Sequence, residues 1–566
     1  MGIPRKRTGN IDEPVPIPGW VLLPNRQDGD GRRKRSMTKG APELPATRSG
    51  PCGMTWLMGI ALAVSLIGCS QPDGEGALPP EVDRNLKSVL FSTLMGGGDF
   101  TEIRDIAVDR QGHIYVTGGT GSADFPTTPG VYDRSFNGES DAFVMKLTAD
   151  GKILWATYLG GPSHDRAYAI EVDDQGYVYI SGRAGDKFPV SGVVFQPQFQ
   201  GGPPHGPYPS QSGFVAKLSP DGKTLVWASY FGAGDDPSHP VRDLALARDG
   251  SIFIASSSTT GAYPKSIRQA FERGFRSRHA GKRDAVLARL KNDGSEVMWA
   301  TYIGGRGSEA GEGSVRTTSK GNVYFLTTTE SDDAPVTPGV YGQGYHGGGD
   351  FYLAKFNADG ALLFATYLGG SDLENLETHE LAVDEDENAL IASGSLSADY
   401  PTTPGVIQPS YAGSGGRGTG GGTNYPGDVV VSKVSVDGTR LLASTFIGGR
   451  HGESVEGIAV DSNGDVSITG ATFSDNFPVT SGALQTRLSG NADAFVVKLS
   501  ADLTRILYAT YVGGIGSEAC RALAVSPAGA VIIGGATNSS GWPIVQGFQE
   551  VAGARGAAVL LGLRSR

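Results

Sequence analysis

A short phrase recurs seven times along the 566 residues of this chain. Its copies begin with Phe91-Ser-Thr-Leu-Met-Gly96 and Trp155-Ala-Thr-Tyr-Leu-Gly160, and the later ones end at Gly232, Gly304, Gly369, Gly448 and Gly513. A repeat of this period is one supersecondary unit, which cannot bury its own apolar faces and is stable only when stacked on neighbours. The chain is therefore an array of repeats, and its function has to be sought in what differs between the copies.

Each repeat contains four short strands, which we name A to D. In the second unit they are Ile170-Glu-Val172, Val178-Tyr-Ile180, Phe214-Val-Ala-Lys-Leu218 and Trp227-Ala-Ser-Tyr230. Turn phrases of the Asp-x-x-Gly kind separate A from B and C from D, and their glycines supply the positive φ that tight hairpins need. The spacing predicts an antiparallel four-stranded meander with a long, variable B–C connection.

The order of the strands along the chain predicts a closed ring. The first strand, around Phe91–Gly96, is of type D, and the last, Ala557–Leu563, is of type C. A circle of four-stranded sheets closed in this way is a β-propeller, which leaves only short and protected edges. We therefore predict an all-β, seven-bladed propeller over residues 87–566, with residues 87–97 completing the C-terminal blade.

The repeats also resemble a known family, the bacterial SBBP (seven-bladed β-propeller) repeat. The resemblance rests on phrases such as Phe364-Ala-Thr-Tyr-Leu-Gly-Gly370, Ile458-Ala-Val-Asp-Ser-Asn-Gly464 and Asp493-Ala-Phe-Val-Val-Lys-Leu499, and it covers residues 87–566. The last unit departs from it, with Gly562 where lysine is expected. The resemblance implies a fold, not a known reaction.

The N-terminal segment, residues 1–68, has the features of an export signal. It is basic and proline-rich, and it ends in an apolar run from Trp56 to Gly68, about 13 residues, which is too short to span a bilayer. That length suits a signal-peptide core and makes Met37 an alternative start to Met1. The cluster Arg32–Arg35 leaves nucleic-acid contact open as an alternative use of the segment.

A cysteine follows the apolar run directly. Leu66-Ile-Gly-Cys69 resembles the lipobox of bacterial lipoproteins, which implies that Cys69 carries a lipid and that residues 69–86 form a tether. In that family Ser70, in place of aspartate, implies retention at the outer membrane, on its periplasmic or its cell-surface side. Ordinary secretion is the alternative.

Composition excludes several classes of function. Residues 69–566 carry 38 basic and 54 acidic residues, and an acidic domain argues against nucleic acid as a partner. With only Cys52, Cys69 and Cys520, the chain has neither a disulfide framework nor a zinc cluster. Cys520 is predicted to be a small buried strand residue. We predict no cofactor and a monomeric propeller.

The D-to-A crossovers and the B–C connections should leave the ring on one face, which we call the top. Loops on a rigid scaffold are where binding residues are usually placed. A carboxylate recurs in the crossovers, four residues after the Gly-Gly pair in the regular copies: Glu102, Asp165, Asp236, Glu309, Glu374, Glu453 and Glu518. These residues form a candidate site for a cationic ligand or a cation such as calcium, or else each carboxylate accepts backbone N–H bonds in its own crossover.

Two features of the B–C connections stand out. Most carry an aromatic-Pro pair such as Phe125-Pro126, which is expected to plug the edge of its blade, with sugar stacking as the alternative. The third connection is strongly basic, and its candidate binding residues are Lys265, Arg268, Arg273, Arg276 and Arg278. They are suited to anionic lipid, polysaccharide or an acidic partner, or they form a merely solvated face.

These features favour a binding scaffold of the cell envelope, anchored by lipid alone, whose top face binds a protein or a polysaccharide. A carbohydrate-active hydrolase or lyase that uses crossover carboxylates such as Glu309 or Glu453 is the first alternative, although the sequence contains no nucleophile elbow or zinc signature. A purely structural envelope component is the second.

Overall fold

Seven antiparallel sheets contain nearly all the regular structure in the computed structural model, which describes residues 84–204, 209–234, 240–310, 313–375, 379–413, 427–553 and 555–564. These residues belong to one compact unit, Leu78–Arg566. Each sheet is a blade with strands A to D in order from the channel to the perimeter. The prediction of a seven-bladed, all-β propeller is confirmed.

The strand bounds follow the four types. The A strands are β2 (Thr101–Val108), β6 (Arg166–Val172), β10 (Asp243–Leu246), β14 (Ser314–Thr317), the split pair β18 (Glu374–Asn375) and β19 (Leu381–Val383), β23 (Glu453–Val460) and β27 (Glu518–Val525). The B strands are β3 (Ile114–Thr120), β7 (Val178–Ala184), β11 (Ile252–Ser258), β15 (Val323–Thr329), β20 (Ala389–Ser395), β24 (Val466–Thr472) and β28 (Val531–Thr537).

The C and D strands complete the blades. The C strands are β4 (Asp141–Leu147), β8 (Ser212–Leu218), β12 (Asp284–Leu290), β16 (Asp350–Phe356), β21 (Asp428–Val434), β25 (Asp493–Leu499) and β29 (Ala557–Leu563). The D strands are β5 (Ile153–Leu159), β9 (Leu225–Phe231), β13 (Val297–Ile303), β17 (Leu362–Leu368), β22 (Leu441–Ile447), β26 (Ile506–Val512) and β1 (Val89–Met95). A short helix, α1 (Lys265–Phe271), lies in the third B–C connection.

The ring closes as the strand order predicts. In the seventh blade the sheet order is β1-β29-β28-β27, so the first strand of the chain is the outer strand beside the last. Phe91 lies opposite Gly562, and a Cβ on that glycine would overlap the Phe91 ring. The same position holds Arg289 in β12 and lysine in the other five C strands, where it also lies opposite a strand D residue such as Trp155 or Phe364.

The core lies between neighbouring blades rather than within one. One buried cluster, for example, joins Tyr115 and Trp155 of the first blade to Ile180 and Phe214 of the second. The Trp155 indole also donates a hydrogen bond of 3.1 Å to the Pro220 carbonyl in the C–D turn of the next blade. Corresponding bonds join Trp227 to Asn292 (2.8 Å) and Trp299 to Ala358 (2.8 Å). Each blade thus overlaps the next in one direction around the ring.

The B–C connections lie mostly along the perimeter. They pair with the outer strand of their own blade, as Ser191 does with Ala228. The Phe125 ring packs 4.7 Å from Phe143 and 5.7 Å from Tyr158, so the aromatic-Pro pair plugs the blade edge, as predicted. The connections begin and end at the top face. Their apolar residues pack against strand D, so most of each connection lies along the perimeter and not on the top face.

Two features of the sequence lie outside the described residues. These are the N-terminal segment with Cys69, including the tether up to residue 83, and the crossover residue Asp236. Across the described ranges, no helix is long and apolar enough to cross a membrane.

Candidate functional site in the central channel

The A strands share an irregularity at one position. In β2, β6, β23 and β27 the pairing register with strand B skips a residue, which is Arg104, Tyr168, Glu456 and Arg521 respectively. In the other three blades the same position lies at a strand start or break and holds Arg242, Gly313 or His379, the last at φ 64°. A bulge re-aims a side chain and is frequent beside active sites. We call these seven residues the channel positions.

Contacts between distant blades show that several of these residues meet at the axis. The Tyr168 ring of the second blade lies 5.2 Å from the Arg104 guanidinium of the first and 4.4 Å from that of Arg242 in the third. From the fifth blade, His379 Nε2 donates a 2.8 Å hydrogen bond to the Tyr168 carbonyl. Blades two and five are not neighbours, so this bond crosses the channel.

The top end of the channel is basic. Arg166 and Arg183 are cross-strand partners in the second blade and add two guanidinium groups, 5.8 and 5.7 Å from the Tyr168 ring. Glu102 pairs with both Arg104 and Arg166. We call Arg104, Arg166, Arg183 and Arg242 with Tyr168 the arginine cluster; all five side chains are buried.

The cluster sets the ionisation of its neighbours. Burial alone would raise the pKa of Tyr168, but the positive charges of Arg183, Arg242, Arg166 and Arg104 outweigh burial and lower that pKa to about 8. Burial, followed by the charge of Arg183, lowers the pKa of His164 to about 3, so its imidazole is neutral at pH 7. The Arg183 guanidinium lies 3.4 Å from His164 Nε2.

Further along the A strands, away from the top face, the channel becomes acidic. His379 Nδ1 lies 3.4 Å from Asp243 and 3.9 Å from Asp105. These carboxylates outweigh the effect of burial and raise the pKa of His379. Glu171 is influenced by the same two carboxylates. Burial raises the pKa of Glu171 to about 7, although the positive charge of Arg316 acts to lower it. The channel therefore has a basic end and an acidic end, with His379 between them.

Apart from His379, one of four histidines that lie in crossovers, the channel positions were not predicted, yet the sequence holds a signal for them. The fifth residue of strand B faces the bulge, and it is a glycine in each of the four bulged blades: Gly118, Gly182, Gly470 and Gly535. A Cβ there would overlap a backbone carbonyl oxygen of strand A. The other three blades have Ser256, Thr327 and Ser393 at this position. Glycine and bulge therefore occur together.

The predicted acidic residues do not form one shared ring in the part of the chain that the structure describes. Glu102 joins the arginine cluster, while Asp165, Glu309, Glu374, Glu453 and Glu518 are buried in the crossovers of their own blades. Glu309, for instance, accepts hydrogen bonds from Thr329 (2.7 Å) and Ser331 (2.6 Å). Asp165 accepts the backbone N–H groups of Gly161 (2.6 Å) and Gly185 (2.8 Å). In this structure these carboxyl groups accept hydrogen bonds within their own blades and so hold the crossovers in place.

These buried carboxyl groups have raised pKa values. Burial is the main cause; it raises the pKa to about 7 for Asp165, Glu309 and Glu518, and to about 8 for Glu374 and Glu453. The first residue of strand C adds to the effect as a second buried carboxyl, as Asp350 does beside Glu374 and Asp428 beside Glu453.

We expect the propeller to be more stable in mild acid than in mild base. A carboxyl whose pKa is raised on folding contributes stability that is fully present below its unfolded pKa, about 4, and lost as the pH rises through 7 to 8. Asp437 and Asp502, with hydrogen bonds from neighbouring hydroxyl groups that lower their pKa to about 2, stay ionised over this range. The melting temperature should therefore fall by several degrees between pH 5.5 and pH 8.5.

Glu518→Gln should make the melting temperature depend less on pH, because the substitution raises stability mainly at pH 8.5. A melting temperature that rises with pH would contradict the expected effect of the buried carboxyl groups.

The basic B–C connection of the third blade lies on the perimeter. In α1, Ile267, Ala270 and Phe271 are buried against β13, and Phe271 stacks on Tyr302 at 4.1 Å. Of the predicted binding residues, Arg273 donates to the Val297 carbonyl (2.6 Å) and Arg276 to that of Gly304. Lys265, Arg268 and Arg278 remain exposed.

A separate shallow hollow of about 560 Å³ lies beside Phe188, Phe199 and Tyr230 on the edge of the second blade.

Neither the arginine cluster nor the acidic end of the channel has the ligands of a metal centre. No group of three or more His, Cys, Asp or Glu side chains among the described residues is arranged to hold a metal ion. The arginine cluster is instead suited to a negatively charged or strongly polar group, since guanidinium forks match carboxylate, sulfate and phosphate oxygens.

Comparison with known proteins supports the repeat and the fold. Residues 90–126 match the family model of the SBBP beta-propeller repeat. The regulatory protein FlaEY of Caulobacter vibrioides is 25% identical over 326 residues, which are 55% of this chain and 31% of that protein. The chain thus spans less than a third of the length of this relative.

Three of the solved structures that match the chain do so at low identity and with TM-scores below 0.5. The WD40 propeller domain of Doa1 is 10% identical with a TM-score of 0.39, covering 84% of this chain and 98% of that one. BamB from Moraxella catarrhalis is 13% identical with a TM-score of 0.32, covering 83% and 98%. A polysaccharide lyase, PL25 ulvan lyase, is 12% identical with a TM-score of 0.41, covering 79% and 92%.

Proposed function

We propose that this SBBP-repeat propeller is a binding scaffold of the cell envelope, held there by a lipid on Cys69, whose ligand binds at the top face over the mouth of the channel. The ligand is a protein or a polysaccharide. The propeller fold is compatible with such a role, since it places varied residues on a rigid ring.

The channel positions carry this proposal. The apolar residues of the A strands recur from blade to blade, as Ile106, Ile170 and Ile458 do, because packing requires them. The channel positions follow no such rule, and their sequence around the ring is Arg, Tyr, Arg, Gly, His, Glu and Arg. Departures from local regularity are expected at functional sites. An asymmetric set of polar residues in an otherwise repetitive ring favours recognition of one particular ligand, and because these side chains are buried the ligand would bind above them rather than enter the channel.

Site-specific photo-crosslinking in the native cells tests which face binds. A photoreactive residue would replace Pro162, Arg306 or Ile515, which are exposed in the top-face crossovers. Matched controls would replace Lys152, Lys223 or Asp359, which are exposed in C–D turns on the opposite face. We expect a discrete adduct from the top positions and none from the controls. Adducts that form equally from both faces, or from the C–D turns alone, would contradict top-face binding.

The anchor is tested separately by Cys69→Ser. We expect this substitution to move the protein from the membrane fraction to the soluble fraction and to abolish metabolic labelling with a radioactive fatty acid. Ser70→Ala is the matched control and should keep the label. Membrane association and labelling that survive Cys69→Ser would rule out the lipid anchor.

A second candidate function, a carbohydrate-active enzyme, is favoured by one observation. Acid and base roles require titratable groups whose surroundings push their pKa values apart, and Tyr168 and His164 meet that condition beside the arginine cluster. The candidate predicts turnover of an acidic envelope glycan that Tyr168→Phe reduces by two or more orders of magnitude. Absence of turnover by the unmodified protein across neutral and acidic glycans would exclude the enzyme candidate and leave the binding scaffold as the remaining proposal.

A further inference from the structure

The third B–C connection forms a basic lobe on the perimeter, which we define as residues 265–283. It contains seven basic residues and one acidic residue, Glu272, in a chain whose net charge is −11. The His279 side chain lies 3.0 Å from the Ser258 carbonyl at the end of β11, so the connection folds back toward its own start. The charge is therefore concentrated on one small surface rather than spread along an extended loop.

Arg273 and Arg276 have structural roles, Arg283 is half-buried, and the other four basic residues are presented to solvent. Arg273 contacts the start of β13 and lies 3.4 Å from Glu296, and Arg276 donates to the Gly304 carbonyl. Lys265, Arg268, Arg278 and Lys282 are exposed, and within the described ranges no acidic side chain pairs with them. The helix is fixed by its buried apolar face. Lys265 and Arg268 are thus held on a fixed helix, and the Lys282 backbone N–H donates to the Gly307 carbonyl (2.8 Å), which lowers the entropic cost of binding at these positions.

An exposed aromatic ring completes the lobe. Phe275 is 46% exposed, although the other large apolar residues of the lobe, Ile267 and Phe271, are buried. One edge of its ring contacts Phe356 at 6.3 Å. Basic residues around a partly exposed Phe form the combination by which proteins bind the interface of an anionic membrane: the cations contact headgroups while the ring enters the acyl boundary. A soluble polyanion would use the charges but not the ring.

We infer that the basic lobe is a docking surface for an anionic lipid bilayer, which it contacts through Lys265, Arg268, Arg278, Lys282 and Phe275. Docking would place the perimeter of the third blade against the membrane. This inference does not depend on the proposed top-face ligand, and it concerns a different surface.

Vesicle co-sedimentation of the full chain tests the inference. The protein would carry Cys69→Ser so that a lipid on that residue makes no contribution, and the vesicles would be phosphatidylcholine alone or an equimolar mixture with phosphatidylglycerol. We expect binding to the anionic vesicles only, with loss at high salt because screening shortens the range of surface charges. Removing a basic residue should cost about fivefold in affinity. Lys265→Gln, Arg268→Gln, Arg278→Gln and Lys282→Gln together should therefore weaken binding by at least about 100-fold.

Matched variants distinguish a docking surface from a general charge effect. Lys152→Gln, Lys223→Gln, Arg306→Gln and Arg450→Gln change the net charge equally at exposed sites elsewhere, and they should leave vesicle binding within a few-fold of the parent. Phe275→Ser should weaken binding to anionic vesicles by about tenfold and leave binding to soluble heparin unchanged. Equal losses from both charge sets, or a lobe that binds heparin but not vesicles, would overturn the inference. Melting curves of each variant would confirm that it is folded.

Discussion

A chain that lacks residues 87–97 should fail to form a stable propeller. This deletion removes β1, whose Val89, Phe91, Leu94 and Met95 side chains are buried. At roughly 1.5–3 kcal/mol for each buried apolar side chain, the loss is about 6–12 kcal/mol, which is comparable to the whole stability of a typical domain. The strand also ties the last B–C connection to the ring, since the Trp542 indole donates a 2.9 Å hydrogen bond to Ser92. Thermal unfolding and limited proteolysis would measure the effect.

The matched control is a deletion of similar length within the tether, residues 70–80. It should leave the melting temperature unchanged, because it leaves β1 and its partners in place. If the 87–97 deletion melted like the parent protein, the pairing of β1 with β29 would contribute nothing to stability, and the closure account would be wrong.

The second large effect is expected from Gly470→Ala in the sixth blade. A Cβ at this position would overlap the backbone carbonyl oxygen of Ser454, which lies in the strand with the bulge at Glu456. The backbone of β23 would have to move, and overpacking of this kind costs typically about 1–3 kcal/mol, and more where the obstacle is backbone. We also expect the substitution to disturb the ion pair between Glu456 and Arg521 across the sixth and seventh blades.

Gly344→Ala is the control for this substitution. No heavy atom lies within 4 Å of a Cβ built at Gly344, and its φ is not in the left-handed region, so stability should change by less than about 0.5 kcal/mol. Chemical denaturation of the two variants would compare them directly. Equal stabilities would show that the bulge does not depend on the glycine opposite it.

The sequence predicted the blades because each strand has a local signal. Turn glycines such as Gly112 and Gly151, both at positive φ, mark the hairpins, and the termini reveal the closure through the strand types they carry. The channel positions had no comparable signal. Whether Arg104 or Tyr168 reaches the axis depends on the register between strands A and B, which no single strand displays. Only the glycine opposite each bulge records it.

The crossover carboxylates illustrate a different limit. Their recurrence was visible, but the choice between a shared ring and separate local roles depends on distances to residues about twenty positions away. Glu453 accepts a 2.8 Å bond from Thr472, and Glu518 a bond from Thr537 at 2.6 Å. Sequence spacing cannot show that a threonine at the end of strand B returns to the crossover. The charge of the basic lobe was visible in the sequence, whereas the helix that holds Lys265 and Arg268 is fixed by Ile267 and Phe271, which are buried against the third blade.

The directional overlap of the blades bears on how such proteins change in size. Trp155, Trp227 and Trp299 each donate forward to the C–D turn of the following blade, and the Phe364 and Phe91 rings lie against the C–D turn glycines Gly438 and Gly151 of theirs. At each of these five joints one blade contributes a ring and the next contributes a turn. A repeat that is duplicated or lost as a whole unit leaves each remaining blade with one side of each kind. The number of blades can therefore change in evolution without a new kind of contact between blades, provided that each duplication or deletion begins and ends at the same point of the repeat.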